Sequence, residues 1–372
     1  MSTVEPASGA FALYARYPEL RTTLPRLALG MGPSPVVPLT QLSEKLGGPQ
    51  LWVKNDGLYG GVYGGNKARK LELILADALR RGSRTIITFG AIGTNHGLAT
   101  ALYAREQGLR TVLLLVDQPI TDRVRRQVWR LHETGAALYR ARTVRRAAVM
   151  TPLVMLRHAD WRRARLPYFL PTGGSSPLGA VGFVNAALEL ADQVSAGELP
   201  EPAHIFVALG SGGTAAGLLL GLRLAGLRSR LVPVLVSNLT PLSSKTVVSL
   251  ANRTARLLRR RGAPLPPDEI APEEVTVLSD WLGDGYGHPT LAGTRPRRRP
   301  GPRGCCGRRK GWSWRESTRR RRCRRLWVSC RPGSCEMGRC STGTPTTPCR
   351  CPSARQRRRI SGGCRGPSVT WP

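Results

Sequence analysis

The sequence predicts an α/β protein built on parallel sheets, followed by a segment of another kind. Three observations carry this reading. Short apolar runs rich in branched residues recur at Thr85–Phe89, Thr111–Val116, His204–Leu209 and Leu231–Val236. Helical patterns separate them, and strands without polar alternation imply parallel sheets covered on both faces. Composition then breaks near residue 295, where an Arg/Pro/Gly/Cys mixture begins.

The elements follow in order. Gly64 and Gly65 allow a tight turn before a helix that starts at Lys67 and carries Leu71, Ile74 and Leu75 on its periodic positions. The strand Thr85–Phe89 ends at Gly90, and a helix through Leu98, Ala101, Leu102 and Ala104 closes at Gly108. After Thr111–Val116 come a basic amphipathic stretch, Thr121–Thr134, and a short run, Ala136–Tyr139. The arginine-rich stretch Arg140–Arg165, with Pro152 inside it, reads as a crossing between two α/β units. The second unit repeats the grammar: strand His204–Leu209, helix Thr214–Ala225, strand Leu231–Val236 and helix Leu242–Arg261. Arg259 to Arg261 there suit the C-terminal carbonyls.

The chain has 372 residues and a formal net charge of +34, which taken whole points to nucleic acid or an anionic surface. The charge is unevenly divided. Residues 1–294 hold 34 basic and 21 acidic residues, whereas residues 295–372 hold 23 basic and 2 acidic. That last segment also holds all nine cysteines but only four of the set Leu, Ile, Val and Phe, too few to offset the entropy of ordering it. No run of 18 apolar residues suggests a membrane span, and Met1–Ala10 lacks the pattern of a secretory signal. Cytoplasm is the expected location.

Three motifs carry chemistry. In Tyr63-Gly-Gly-Asn-Lys-Ala-Arg-Lys-Leu-Glu72, Lys67 opens a helix, whose positive end favours the neutral amine that imine formation needs. The bland alternative is that Lys67, Arg69 and Lys70 form a solvated face. In Thr88-Phe-Gly-Ala-Ile-Gly-Thr-Asn-His-Gly97, a strand runs through a Gly-rich turn into a helix, where Thr94, Asn95 and His96 suit a carboxylate. For His96 alone, capping or packing is the ordinary role. The third motif, Val207–Gly217, places Gly210, Ser211, Gly212, Gly213 and Thr214 between a strand and a helix, as a phosphate cradle requires. It has neither the Walker lysine nor the Rossmann spacing. A lysine, a carboxylate cradle and a phosphate cradle are together the parts needed for pyridoxal phosphate.

Two further segments complete the pattern, Pro-Thr-Gly-Gly-Ser-Ser-Pro-Leu-Gly-Ala-Val-Gly-Phe at 171–183 and Asp-Gly-Tyr-Gly-His-Pro-Thr at 284–290. The ordered set resembles the D-cysteine desulfhydrase and 1-aminocyclopropane-1-carboxylate deaminase family of fold-type II pyridoxal-phosphate enzymes, over residues 10–294. The resemblance implies two open parallel-sheet, three-layer domains of the tryptophan synthase β kind. A large one would combine 1–79 with 171–294, and a small one would span 80–170. It implies pyridoxal 5'-phosphate linked to Lys67, with Asn95 on its ring hydroxyl and Gly210 to Thr214 on its phosphate. Thr94, Asn95 and His96 would hold the carboxylate of a small amino-acid substrate, and Tyr286 would line its pocket in a catalytic position. It also implies a homodimer. Deaminases of the family carry Gln where this chain has His96, which favours the desulfhydrase branch. The expected reaction yields pyruvate, ammonia and sulfide from D-cysteine; 1-aminocyclopropane-1-carboxylate deamination is the alternative.

The tail, 295–372, is expected to be disordered and out of frame. GC-rich codons read out of phase yield such residues. With the third base of each codon joined to the first two of the next, Gly311–Trp327 permits L-V-L-E-G-V-Y-T-A-K-A-L-P-A-L-V, and Arg339–Cys351 permits V-L-Y-W-H-T-H-N-A-L-P-L. Both contain motifs that the family carries in this order. A zinc site is less suited, since Cys323, Cys330, Cys335 and Cys340 include no C-x-x-C pair and no histidine lies nearby. A disulfide framework would leave an odd cysteine. A basic nucleic-acid-binding tail on an inactive body is the competing reading of another class, and it would show strong salt dependence. Loss of the family's C-terminal segment would leave the last sheet with an open edge, remove the residue facing the cofactor's ring nitrogen and so impair the activity of this product.

Overall fold

The computed structural model describes residues 11–239, 241–283 and 286–288. The expected tail, and Asp284, Gly285, Pro289 and Thr290 of the last motif, lie outside the described residues. The described part belongs to one compact unit, Met1–Arg298. Its elements are α1 (Ala12–Arg16), α2 (Leu20–Thr23), β1 (Val36–Pro38), α3 (Thr40–Leu46), β2 (Trp52–Lys54), α4 (Asn66–Arg80), β3 (Thr85–Ala91), α5 (Asn95–Glu106), β4 (Arg110–Val116), α6 (Asp122–Glu133), β5 (Ala137–Arg142), α7 (Val144–Arg157), β6 (Tyr168–Leu170), α8 (Pro177–Ser195), β7 (His204–Leu209), α9 (Gly213–Ala225), β8 (Arg230–Leu235) and α10 (Ser244–Arg260).

Four strands form an all-parallel sheet in the order β5-β4-β3-β6. Its two faces are covered by different helices. Val112, Leu114 and Val116 of β4 pack with Ala147 and Val154 of α7. Leu113 and Leu115, pointing the other way, pack with Leu98 of α5 and with Val124 and Leu131 of α6. The direction of winding reverses at β3, whose neighbours are β4 on one side and β6 on the other. Such a reversal opens a crevice beyond the carboxyl ends of the strands, where ligands of α/β sheets bind.

A second parallel pair, β7 and β8, packs Ile205, Val207, Leu209, Leu231 and Leu235 into the largest core, which α8, α9 and α10 build. Helix α8 lies close to α4 and α9 because glycines face the contacts. A Cβ at Gly182 of α8 would overlap the Arg69 carbonyl of α4, and one at Gly217 of α9 would overlap the Ala180 carbonyl of α8.

The stretch expected to be only a crossing contains α7, which runs through Pro152. A proline inside a helix loses one backbone bond and is ordinarily a breaker, so burial of Ala147 and Val154 on the sheet outweighs it here. The helix expected from Leu242 begins at Ser244, because Ser243 caps it through the backbone N–H of Thr246.

Candidate active site

Four segments meet at the crevice: the start of α4, the turn after β3, the loop after β6 and the turn after β7. Gly65, at φ +133°, swings the chain into α4, so Lys67 stands in its first turn. Burial pushes the Lys67 amine down to about 8. Loss of solvent, and not the helix dipole that the sequence suggests, is the cause.

Lys70 lies one turn further on and is 1% exposed. Burial, then repulsion from Lys67, holds its amine well below the ordinary lysine value. Its Nζ donates to the Gly173 carbonyl at 3.1 Å, and among the described residues no carboxylate pairs with it. Arg69 is equally buried. Its guanidinium bonds Asp56 at 2.9 Å and Glu189 at 2.8 Å and stacks over Tyr59. The solvated-face reading of Lys67, Arg69 and Lys70 is therefore overturned, since two of the three are core residues. Arg69 joins α4 to α8 and to the segment before α4.

The phosphate-cradle residues follow β7. Gly212, at φ +86°, precedes α9 and offers no side chain to its open N–H groups. Ser175, from the loop after β6, accepts from the Gly213 N–H at 3.0 Å and donates to Ser211 Oγ at 2.8 Å. Thr214 Oγ1 receives the Asn66 amide at 3.5 Å, which ties the cradle to the start of α4. A Cβ at Gly213 would come within 2.9 Å of the Lys70 amine, and Gly210 faces no close neighbour. A helix N-terminus, a glycine-lined turn and a buried lysine without a carboxylate partner thus adjoin one another. Burying such a lysine is costly unless it stays neutral or gains an anion, and a phosphate group suits this place in charge.

The second cradle follows β3. Thr94 caps α5, its Oγ1 accepting from the Gly97 N–H at 3.1 Å. The first-turn N–H groups of Asn95 and His96 are then the donors a carboxylate could use. Asn95 Oδ1 receives Tyr63 Oη at 3.3 Å and Gln127 Nε2 at 3.2 Å. His96 is 5% exposed, with Nε2 3.2 Å from Thr88 Oγ1. Its Nδ1 has no partner among the described residues. Burial, then the nearby Lys67 and Lys70, holds its ring well below the ordinary histidine value, so it is neutral at neutral pH. Its ring is in part a packing group on β3, the ordinary role weighed for it. Tyr286 is partly buried; its backbone N–H reaches Asn238 Oδ1 at 3.4 Å, and burial raises its phenol pKa beside Arg123 and Tyr63.

Sequence reasoning missed Lys70, Ser175 and Tyr63. Signals existed for two of them. Lys70 stands three residues after Lys67, hence on the same helix face, and Ser175 sits in the Gly-Gly-Ser-Ser turn that follows a strand.

The family model described as "Pyridoxal-phosphate dependent enzyme" matches residues 27–276. The chain is 35% identical over 275 residues to the D-cysteine desulfhydrase of Klebsiella pneumoniae (strain 342), covering 73% of this chain and 80% of that one. It is 36% identical over 279 residues to the D-cysteine desulfhydrase of Salmonella choleraesuis (strain SC-B67), with the same coverage. Among solved structures it is similar to one described as an ACC deaminase homologue, at 29% identity and a TM-score of 0.57, over 70% of this chain and 77% of that chain.

Proposed function

This chain belongs to the pyridoxal-phosphate-dependent enzymes, and from that premise we propose that it acts as a D-cysteine desulfhydrase. When bound, the cofactor supplies an electron sink that acidifies the Cα–H of an attached amino acid. The chain's residues would do the rest. Lys67 would hold the cofactor and move the proton at the substrate's Cα, a task suited to an amine near 8 in a buried setting. Gly210, Ser211, Gly212, Gly213 and Thr214 would hold the phosphate, with the Lys70 ammonium as its counter-charge. Asn95 would orient the ring. The N–H groups of Asn95 and His96, with Thr94, would take the substrate carboxylate, and Tyr286 would close the pocket. Breaking the Cα–H and Cβ–S bonds releases sulfide, and hydrolysis of the Cα–N bond by one water then gives pyruvate and ammonia from D-cysteine.

The observation that carries this reading is the pair Lys67 and Lys70, buried together beside a glycine cradle with no acid among the described residues to neutralise Lys70. The test is to load the purified chain with pyridoxal phosphate and supply D-cysteine. Sulfide and pyruvate should appear with wild type and vanish in Lys67→Ala; a loaded wild type that produces neither defeats the assignment. The second reading is deamination of 1-aminocyclopropane-1-carboxylate, favoured by the ACC deaminase homologue. It would give 2-oxobutanoate and ammonia. The neutral histidine at position 96, where deaminases carry Gln, supports the desulfhydrase.

The same family resemblance supports a division at 79/80 and 170/171 and a homodimer; the cytoplasm is the default location proposed for it. Light scattering on the loaded chain tests the homodimer. Among the described residues, no helix is long and apolar enough to cross a membrane.

A further inference from the structure

Helix α7 is apolar on two sides, and the sheet covers one of them. Ala147 and Val154 pack on the sheet. By helical spacing, Val149, Leu153 and Leu156 form a stripe on the opposite side, and they are 73%, 69% and 47% exposed. A tight turn follows the helix, closed by backbone bonds of 2.8 and 3.1 Å between Asp160 and Arg165. It holds Trp161 at 70% exposure. A ridge of aliphatic groups ending in an indole thus faces solvent, where a helix normally shows polar residues. Charge surrounds the ridge. Residues 140–165 hold eight arginines and one acidic residue, Asp160. Arg145 and Arg146 stand one turn before Val149, to either side of the stripe, and Arg157 and Arg162 stand at its other end. Asp160 pairs with Arg163 at 3.7 Å. No carboxylate among the described residues pairs with Arg145, Arg146, Arg157 or Arg162.

We propose that this face of α7 docks on a membrane surface of anionic lipid, with the stripe and Trp161 in the headgroup region and the arginines on lipid phosphates. It does not depend on the activity proposed above. Charge and shape together choose this occupant. A second copy of the chain would set Arg145, Arg146 and Arg157 against their own kind, which is repulsive. A nucleic acid would satisfy the arginines but offer Val149, Leu153 and Leu156 no apolar partner. An acidic protein would need a groove cut to a convex ridge, whereas the lipid boundary adapts to one. Aliphatic groups and Trp on one face, with Arg beside them, is the pattern of a helix that lies in that boundary. The association would be peripheral, since among the described residues no helix is long and apolar enough to cross a membrane. Helix α7 lies on a face of its sheet, and the crevice opens beyond the strand ends, so docking leaves the crevice free.

The test sediments the full chain with vesicles of equal parts phosphatidylglycerol and phosphatidylcholine, and with vesicles of phosphatidylcholine alone. The 23 basic residues after 294 also attract anionic lipid, so the variants change what charge alone does not supply. The expected result is binding to the anionic vesicles, weakened about tenfold or more by Leu153→Asp and by Trp161→Ala. Arg146→Gln should weaken it about fivefold. Leu153 and Trp161 are exposed, and thermal unfolding checks that both variants fold as wild type does. Lipid brominated in its acyl chains should quench part of the tryptophan fluorescence, and that part should be missing in Trp161→Phe. Anionic vesicles that bind both variants as tightly as wild type overturn the proposal, because charge elsewhere would then hold the chain. No binding, or equal binding to phosphatidylcholine alone, also overturns it. So does a lipid-free dimer that Leu153→Asp dissociates, which makes a second copy the occupant. Binding to RNA or to polyglutamate that Leu153→Asp weakens as much would assign the face to those partners instead and overturn it too.

Discussion

The two parallel sheets are made of similar sequence and have different surroundings. In the β5-β4-β3-β6 sheet, β4 is buried from Thr111 to Val116 because helices cover both faces. In the β7–β8 pair, an equally apolar strand is buried on alternate residues only. Local sequence therefore decides that a strand forms, whereas its cover is decided by segments far along the chain. The candidate site draws on both sheets: Thr94 to His96 follow β3 of the covered one, and Gly210 to Thr214 follow β7 of the open one.

Several substitutions would sharpen or break this contrast. The largest effect belongs to Arg69, which holds the region between the sheets. Arg69→Ala leaves Glu189 and Asp56 without their partner and should cost about 3–5 kcal/mol in a denaturant titration. Leu114→Ala in the covered sheet, where the side chain is fully buried, should cost about 2–5 kcal/mol. Phe206→Ala in the open sheet should cost about 0.5 kcal/mol or less, as surface changes do. Equal losses at Leu114 and Phe206 would break the comparison.

A smaller effect concerns pH. Folded His96 stays neutral, while unfolded His96 binds a proton near its ordinary value of 6.5. The unfolded state thus takes up more protons as pH falls below that value, and stability of the cofactor-free chain drops with it. His96→Leu should flatten that limb of the stability–pH curve. An unchanged limb would mean that His96 is charged in the folded chain.

Much of the fold could be read from the sequence. β3, β4, β7 and β8 announce themselves as apolar runs, and α5, α6, α9 and α10 by their periodicity and caps. What stayed hidden has specific causes. Pro152 disguised α7 as a break. The long helix α8 is apolar on most sides, so it shows little helical periodicity. In the candidate site, the order of motifs pointed to Lys67 and to both proposed cradles. The run Lys-Ala-Arg-Lys could not reveal that Arg69 and Lys70 are buried, because the groups that bury them, Glu189 and the Gly173 carbonyl, lie more than a hundred positions away.

The account stands on Lys67 as the residue that carries the cofactor, with Lys70 as the charge beside its phosphate. Both amines are buried and held below their ordinary value, so either could in principle react. Borohydride reduction of the chain loaded with pyridoxal phosphate fixes the cofactor to whichever lysine holds it, and peptide mass spectrometry then locates it. The account expects the added mass on Lys67, lost in Lys67→Ala and retained in Lys70→Met with weaker loading. A label on Lys70, or on no lysine of α4, would contradict it.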